Sequence, residues 1–403
     1  MGRKFPFTMW TYNPIEDFTP DEVDVWADCG MTAPMAPKTE LSQDPGILIP
    51  FLDKAAGRGI KLIANYDGLG YRGMHSMGAA EYERQLRRIV DVIGDHPGLY
   101  GFCVGDEPRL PEHMEATKEC VVVNKKVAPH LTPFINYRGS TIDFDPEQLG
   151  GRDPAGWFRY VAEESGCREF CFDDYSQTIN DGGGKTMFLD GTKRMVEAAE
   201  AAGCECWECL LSSAHHVFRK QNEERLMWQI HAAAMMGVKG IQWFRFYDRE
   251  EANELMFSPV DEFGNKTETY YAMMRAQRRF NRHYGEMFMR AKRLGTYMLK
   301  SDRGVYPEFR PGDHEFIKSL TADDETMVTF LEDTDGSEYM CLFHMITEWY
   351  GSVKIIYDAS KCRVLCARDN GKDIAESEYK EGDNDIEAVI LPGAMVMFKI
   401  EKR

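Results

Sequence analysis

A (β/α)8 TIM barrel followed by a small C-terminal antiparallel β-sandwich is the fold class this sequence predicts. Three observations predict it. Eight short apolar runs recur over the first three-quarters of the 403-residue chain, each about one strand–helix unit from the next. Amphipathic helical stretches lie between the runs. After about residue 305 the pattern changes to short strands between Gly, Asp and Asn turns.

The runs are "FPFTMWTY" (5–12), "MTAPMA" (31–36), "IKLIANY" (60–66), "LYGFCVGDE" (99–107), "LTPFINY" (131–137), "REFCFDDY" (168–175), "CECWECLL" (204–211) and "KGIQWFRFY" (239–247). Between them, "TPDEVDVWADCG" opens at Thr19, a good helix cap, with Pro20 next and acids in the first turn. "DPGILIPFLDKAAGRG" stops at Gly57 and Gly59. "AAEYERQLRRIVDVIGDHPG" places Tyr82, Leu86, Ile89, Val90 and Ile93 on one helical face. Strands alternating with helices through eight units predict a closed barrel over residues 1–305, with a doubly wound sheet as the alternative. The turn-rich "RPGDHEF" joins it to a sandwich over 306–403. That sandwich is built from "TMVTFLED", "EYMCLFHM", "SVKIIYDA", "CRVLCARD" and "IEAVILPGAMVMFKIE".

Composition narrows the function. Hydrophobic content of 43% and aromatic content of 12% suit a globular chain with a sizeable core. A net charge of −18 argues against nucleic acid, whose phosphates need a basic face, and against anionic membranes. A neutral small-molecule substrate fits. No apolar run approaches the roughly 20 residues of a membrane span. The start "MGRKFPFTMWTYNP" has no signal-peptide core. Eleven scattered cysteines suit reduced thiols, so a cytoplasmic location is expected. Cys204, Cys206 and Cys209 read as buried thiols, since Cys206 and Cys209 fall on opposite faces of a strand and do not make a zinc pair. No metal and no cofactor are expected. Formation of a homo-oligomer is left open.

The fourth run is small and apolar until it ends in Asp106, Glu107 and Pro108. Two carboxylates would be costly in a core. At the C-terminal mouth of a barrel they would face the active site. Alternation puts Gly101, Cys103, Gly105 and Glu107 on one face, and the small set should face the crowded interior. That aims Glu107 at the mouth and leaves Asp106 on the outer face. In the seventh run the same reasoning turns Cys204, Cys206 and Glu208 inward, and Glu205 replaces Glu208 if a bulge shifts the pleat. Two glutamates facing each other across a mouth are the equipment for glycosidic bond cleavage. A separation of about 5–5.5 Å gives retention, and about 6.5–9.5 Å gives inversion.

On these residues the chain resembles the retaining (β/α)8-barrel glycoside hydrolases of clan A type, over about residues 5–295. "GDEP" (105–108) is similar to the clan's Asn-Glu-Pro signature, with Asp106 where Asn is usual. The clan's Asn contacts the sugar 2-hydroxyl; an Asp can accept that hydrogen bond and cannot donate one. "CWECLLS" (206–212) is similar to the strand-seven nucleophile segment, "GIQWFRFYD" (240–248) to strand eight, and "SPVDEFGNKTETYYAMM" (258–274) to the segment opening the last helix. The resemblance implies that Glu107 is the acid/base and Glu208 the nucleophile. It implies that Tyr175 bonds the nucleophile and that Trp243 floors the sugar subsite, although alternation alone sets Trp243 opposite Gln242. Trp10, Tyr12, Tyr66, Asp67, Asn136 and Asp173, at other strand ends, are expected to line the pocket. Tyr137, Arg138, His215 and His216 are further candidates, and Asp174 is an alternative nucleophile. The function expected is hydrolysis of a neutral, β-linked glycoside by double displacement. The alternatives are a carbohydrate-binding barrel without activity and a metal-dependent barrel hydrolase or isomerase.

Overall fold

The computed structural model describes residues 3–139, 146–179, 182–248, 255–375 and 385–403. The chain forms two compact units. One is Pro6–Gln221 with Gly240–Met274; the other is Met1–Phe5 with Asn222–Lys239 and Arg275–Arg403.

The first unit holds eight parallel strands: β1 (Phe7–Met9), β2 (Met35–Glu40), β3 (Leu62–Asp67), β4 (Leu99–Asp106), β5 (Thr132–Tyr137), β6 (Glu169–Asp173), β7 (Glu205–Leu211) and β8 (Ile241–Phe244). Each of β2 to β8 pairs with its sequence neighbour, and β8 returns to β1. The β1–β2 seam is bridged between Pro14 and Lys38, where the Lys38 N–H donates to the Asn13 carbonyl at 2.9 Å. The predicted barrel is therefore present. Its helices include α1 (Glu22–Cys29), α2 (Ile49–Gly57), α3 (Tyr71–Met77), α4 (Ala79–Ile93), α5 (Pro111–Val127), α6 (Pro154–Ser165) and α7 (Gly182–Ala201). Helix α1 starts later than Thr19 because the Thr19 carbonyl is taken by the Glu22 N–H in a preceding turn. Helix α4 buries Tyr82, Leu86, Ile89 and Ile93, the stripe its period requires. Among the described residues no helix is long and apolar enough to cross a membrane.

The barrel interior is packed by Trp10, Met35, Ile63, Cys103, Phe134, Cys171, Trp207 and Cys209. On β4, Cys103 points inward as alternation predicts, while Tyr100 of the opposite set also packs against the interior. On β7 the expectation is reversed: Trp207 and Cys209 point inward, and Cys206 and Glu208 point to the helices. The reason is a neighbour. A Cβ on Gly240 would lie 2.4 Å from Trp207 Cδ2, so the bare glycine beside β8 makes room for the indole. The ring then packs against Phe134 at 5.7 Å and Tyr100 at 6.1 Å. Trp207→Ala should cost about 3–5 kcal/mol in urea unfolding, the range for emptying a large buried aromatic site.

In the second unit, a six-stranded antiparallel sheet runs in the order Lys292–Leu299, Thr326–Glu332, Glu338–His344, Met395–Lys402, Cys362–Arg368, Asp373–Ala375. A three-stranded sheet runs Ile317–Ala322, Gly351–Tyr357, Asp385–Ile390. Val328, Leu342, Ile355, Ile386 and Phe398 lie in one buried core with them. The sandwich is present as predicted, with three differences, one being that Ile317–Ala322 and Asp373–Ala375 are strands the expected runs did not include. Lys292–Leu299 supplies a strand ahead of residue 306. The last apolar run is two strands, because Leu391, Pro392 and Gly393 break it. Helix α8 (Glu223–Met236) belongs to this unit: Trp228 Nε1 donates to the Met345 carbonyl at 3.0 Å.

Candidate active site

The C-terminal end of β4 is shaped by two local features. A register shift against β5 falls between Cys103 and Gly105. Glu107 then adopts φ 43°, a left-handed conformation uncommon outside glycine. Its N–H is held by the Asn136 carbonyl at 2.8 Å. The bulge and the turn bring both carboxylates to the mouth, so Asp106 does not sit on the outer face as plain alternation predicts. Asp106 lines a cleft of about 790 Å³ together with Trp10, Tyr12, Tyr66 and Asp67. Lys38 and Asp67 form an ion pair of 2.8 Å on the same cleft wall.

The carboxylates form a connected cluster. Asn136 Nδ2 donates to Asp106 Oδ1 at 3.0 Å. Arg109 donates to Glu107 Oε2 at 2.5 Å. Asp173, at the end of β6, accepts the Gly139 N–H at 2.7 Å and shares a hydrogen bond with Glu107. Burial pushes Asp173 well above the ordinary carboxylate range, and the Glu107 hydrogen bond and charge push it further. Burial would also raise Glu107, but the hydrogen bond from Asp173 and the Arg109 guanidinium outweigh it and hold Glu107 low. The pair therefore keeps one proton, resting on Asp173 and donated toward Glu107. Burial raises Asp106 to about 6, against the Asn136 bond and with the Glu107 charge.

Aromatic rings continue from the cleft-lining Trp10 and Tyr12 to Phe244 and Tyr175. Tyr175 stacks on Phe244 at 5.8 Å and 28°, and Tyr12 meets Phe244 edge-on at 6.1 Å. Trp10 packs edge-on against Tyr12 at 5.8 Å. The Tyr175 hydroxyl lies 3.4 Å from Cys209 Sγ. Three buried polar atoms here have no partner among the described residues: Trp10 Nε1, Tyr66 Oη and Asn136 Oδ1. Buried polar groups are normally paired, so unpaired ones at a cleft point to a ligand.

The structure thus brings together Glu107, Asp106, Asn136, Asp173 and Tyr175, and sets Trp10, Tyr12, Tyr66 and Asp67 along the cleft. Two expected residues fall elsewhere. Glu208 is completely buried on the helix side of β7, where it accepts from Thr192 Oγ1 of α7 at 2.6 Å. Trp243 is also completely buried. Its neighbour Phe244 takes the inward position, followed by a cis bond to Arg245. Sequence reasoning missed Cys209 and Phe244. Alternation carried a signal for Phe244, which it groups with Gln242, and none that chooses the face of Cys209 over that of Glu208.

Burial pushes the Glu208 carboxyl well above its ordinary value. An acid raised by folding carries no penalty below its unfolded value. Above it the unfolded chain releases its proton first, so stability falls as pH rises. Glu208→Gln should therefore leave turnover unchanged and raise the melting temperature at pH 8, with the gain vanishing near pH 4. Thermal melts at the two pH values check this.

No protein-family model matches the chain, and no curated protein sequence matches it. Solved structures do. A family 39 glycoside hydrolase from the gut symbiont Bacteroides cellulosilyticus superposes with a TM-score of 0.54 at 12% identity, over 99% of this chain and 81% of that one. A family 5 glycoside hydrolase from Bacteroides vulgatus gives 0.57 at 10% identity, over 99% and 89%. The fold is similar to that of the clan A glycoside hydrolases. The superposed residues include both units, and at these identities the likeness is one of fold.

Proposed function

We propose that the chain is a glycoside hydrolase acting on a neutral, β-linked sugar, with Glu107 as the group that protonates the departing glycosidic oxygen. The observation that carries this reading is the hydrogen-bonded Glu107–Asp173 pair at the strand ends, next to Asp106, which lines the cleft with Trp10 and Tyr12. A cleaved glycosidic bond leaves an alkoxide that needs a proton and an oxocarbenium-like centre that needs nearby negative charge. Glu107 relays the first from Asp173, where the pair's proton rests. Asp106 supplies the second. The rings of Trp10 and Tyr12 offer apolar faces to sugar C–H groups, and the unpaired Trp10, Tyr66 and Asn136 atoms offer hydrogen bonds to hydroxyls.

Double displacement through Glu208 is not part of this reading, because that carboxylate faces α7. A panel of aryl β-glycosides tests the proposal. Release of the aryl alcohol from at least one sugar by the wild type, lost in Glu107→Ala, is the expected result. Binding without turnover across the panel would favour the carbohydrate-binding barrel.

A further inference from the structure

The strand-seven position that faces the mouth is occupied by a thiol. Cys209 is buried among Trp207, Tyr175 and Phe244. Burial, then the charge of Asp173, pushes its thiol well up, so it stays protonated and is a poor nucleophile. Among the described residues, no carboxylate on β7 reaches the mouth. The mouth holds instead two adjacent carboxylates on one strand end. Glu107 is paired with Asp173 for proton transfer; Asp106 is oriented separately by Asn136. Close to these carboxylates lie Cys209 and the Tyr175–Phe244 stack, an apolar cluster with one hydroxyl in it.

This arrangement provides an acid and a second carboxylate beside it, and no protein group to attack the sugar from β7. We propose that the nucleophile comes from the substrate, and that the site takes 2-acetamido-2-deoxy-β-glycosides. The inference rests on the glycosidase reading and names its substrate class. In the first step the acetamido carbonyl oxygen forms a bond to the anomeric carbon. The bond from that carbon to the leaving oxygen breaks, and the leaving oxygen takes a proton through Glu107, to which Asp173 passes the proton the pair holds. Asp106 accepts the amide N–H and balances the positive charge of the cyclic oxazolinium. The acetyl methyl sits on Cys209 and Phe244, and the Tyr175 hydroxyl donates to the carbonyl oxygen. In the second step water attacks the anomeric carbon and gives its proton to Glu107. The ring C–O bond breaks and the acetamide is restored. Configuration is retained.

The test uses the full chain with 4-nitrophenyl β-glucoside, β-galactoside and their 2-acetamido-2-deoxy counterparts. The acetamido sugars should be cleaved at least about 100-fold faster than their 2-hydroxy counterparts, since an attacking group already held on the substrate acts at high effective concentration. Replacing acetamido by trifluoroacetamido should slow turnover, because the carbonyl oxygen becomes a weaker nucleophile. Asp106→Asn should lower kcat by about 10²-fold. It should also abolish the acid limb near pH 6 that ionisation of Asp106 gives the wild type. Preference for the 2-hydroxy sugars, or a gain on them in Asp106→Asn, overturns this inference and leaves the glycosidase reading standing. Failure to cleave any of the four overturns both.

Discussion

Glu107→Gln should reduce kcat/KM by about 10³-fold on a glycoside with a poor leaving group, within the span of general acid catalysis. On a 2,4-dinitrophenyl glycoside the bond-breaking step should lose far less, because that leaving group departs without a proton. Azide should restore turnover in Glu107→Ala by replacing the water that Glu107 would otherwise activate. The comparison separates a proton donor from a residue that only shapes the cleft, whose loss would slow both substrates alike.

Asp173→Asn should have the next largest effect, about 10²-fold at neutral pH, with a pH signature. In the wild type the pair keeps a proton up to the raised titration of Asp173. Activity should fall as pH rises through that titration. With an amide at 173, Glu107 must hold its own proton beside Arg109, which favours the ionised form. The basic limb should then move to lower pH, and part of the loss should recover in acid. A pH–rate profile of the two proteins reads this directly. An equal loss at every pH would mean that Asp173 only holds the Gly139 backbone in place.

The outline of this fold was legible in the chain because it rests on local signals. Small residues alternate along β4, Pro108 stops it, and α4 carries an unbroken apolar stripe. Glu107 followed from that strand alone. Strand seven was not legible in the same way. In "ECWEC" both faces carry a Glu and a Cys, so alternation cannot choose between them. The choice is made by Gly240, more than 30 residues away in sequence, whose missing side chain admits Trp207. At β8 the alternation was informative and the resemblance misdirected it by one residue, from Phe244 to Trp243. The outward placing of Asp106 failed for a third reason: the bulge after Cys103 lies in the pairing with β5, which one strand read alone does not reveal.

The sandwich shows the same division. The strands bounded by Gly and Asp turns were visible. Lys292–Leu299 was not, because it follows helical sequence directly and is identified by its partner Thr326–Glu332.

The most direct measurement compares Glu107→Ala and Glu208→Ala on a glycoside of the sugar the wild type cleaves fastest, carrying a poor leaving group, each checked for folding by thermal melting. The predicted result is that Glu107→Ala loses turnover while Glu208→Ala, once folded, keeps it. A folded Glu208→Ala that is inactive, beside an active Glu107→Ala, would contradict the assignment of the acid to β4 and the outward facing of Glu208.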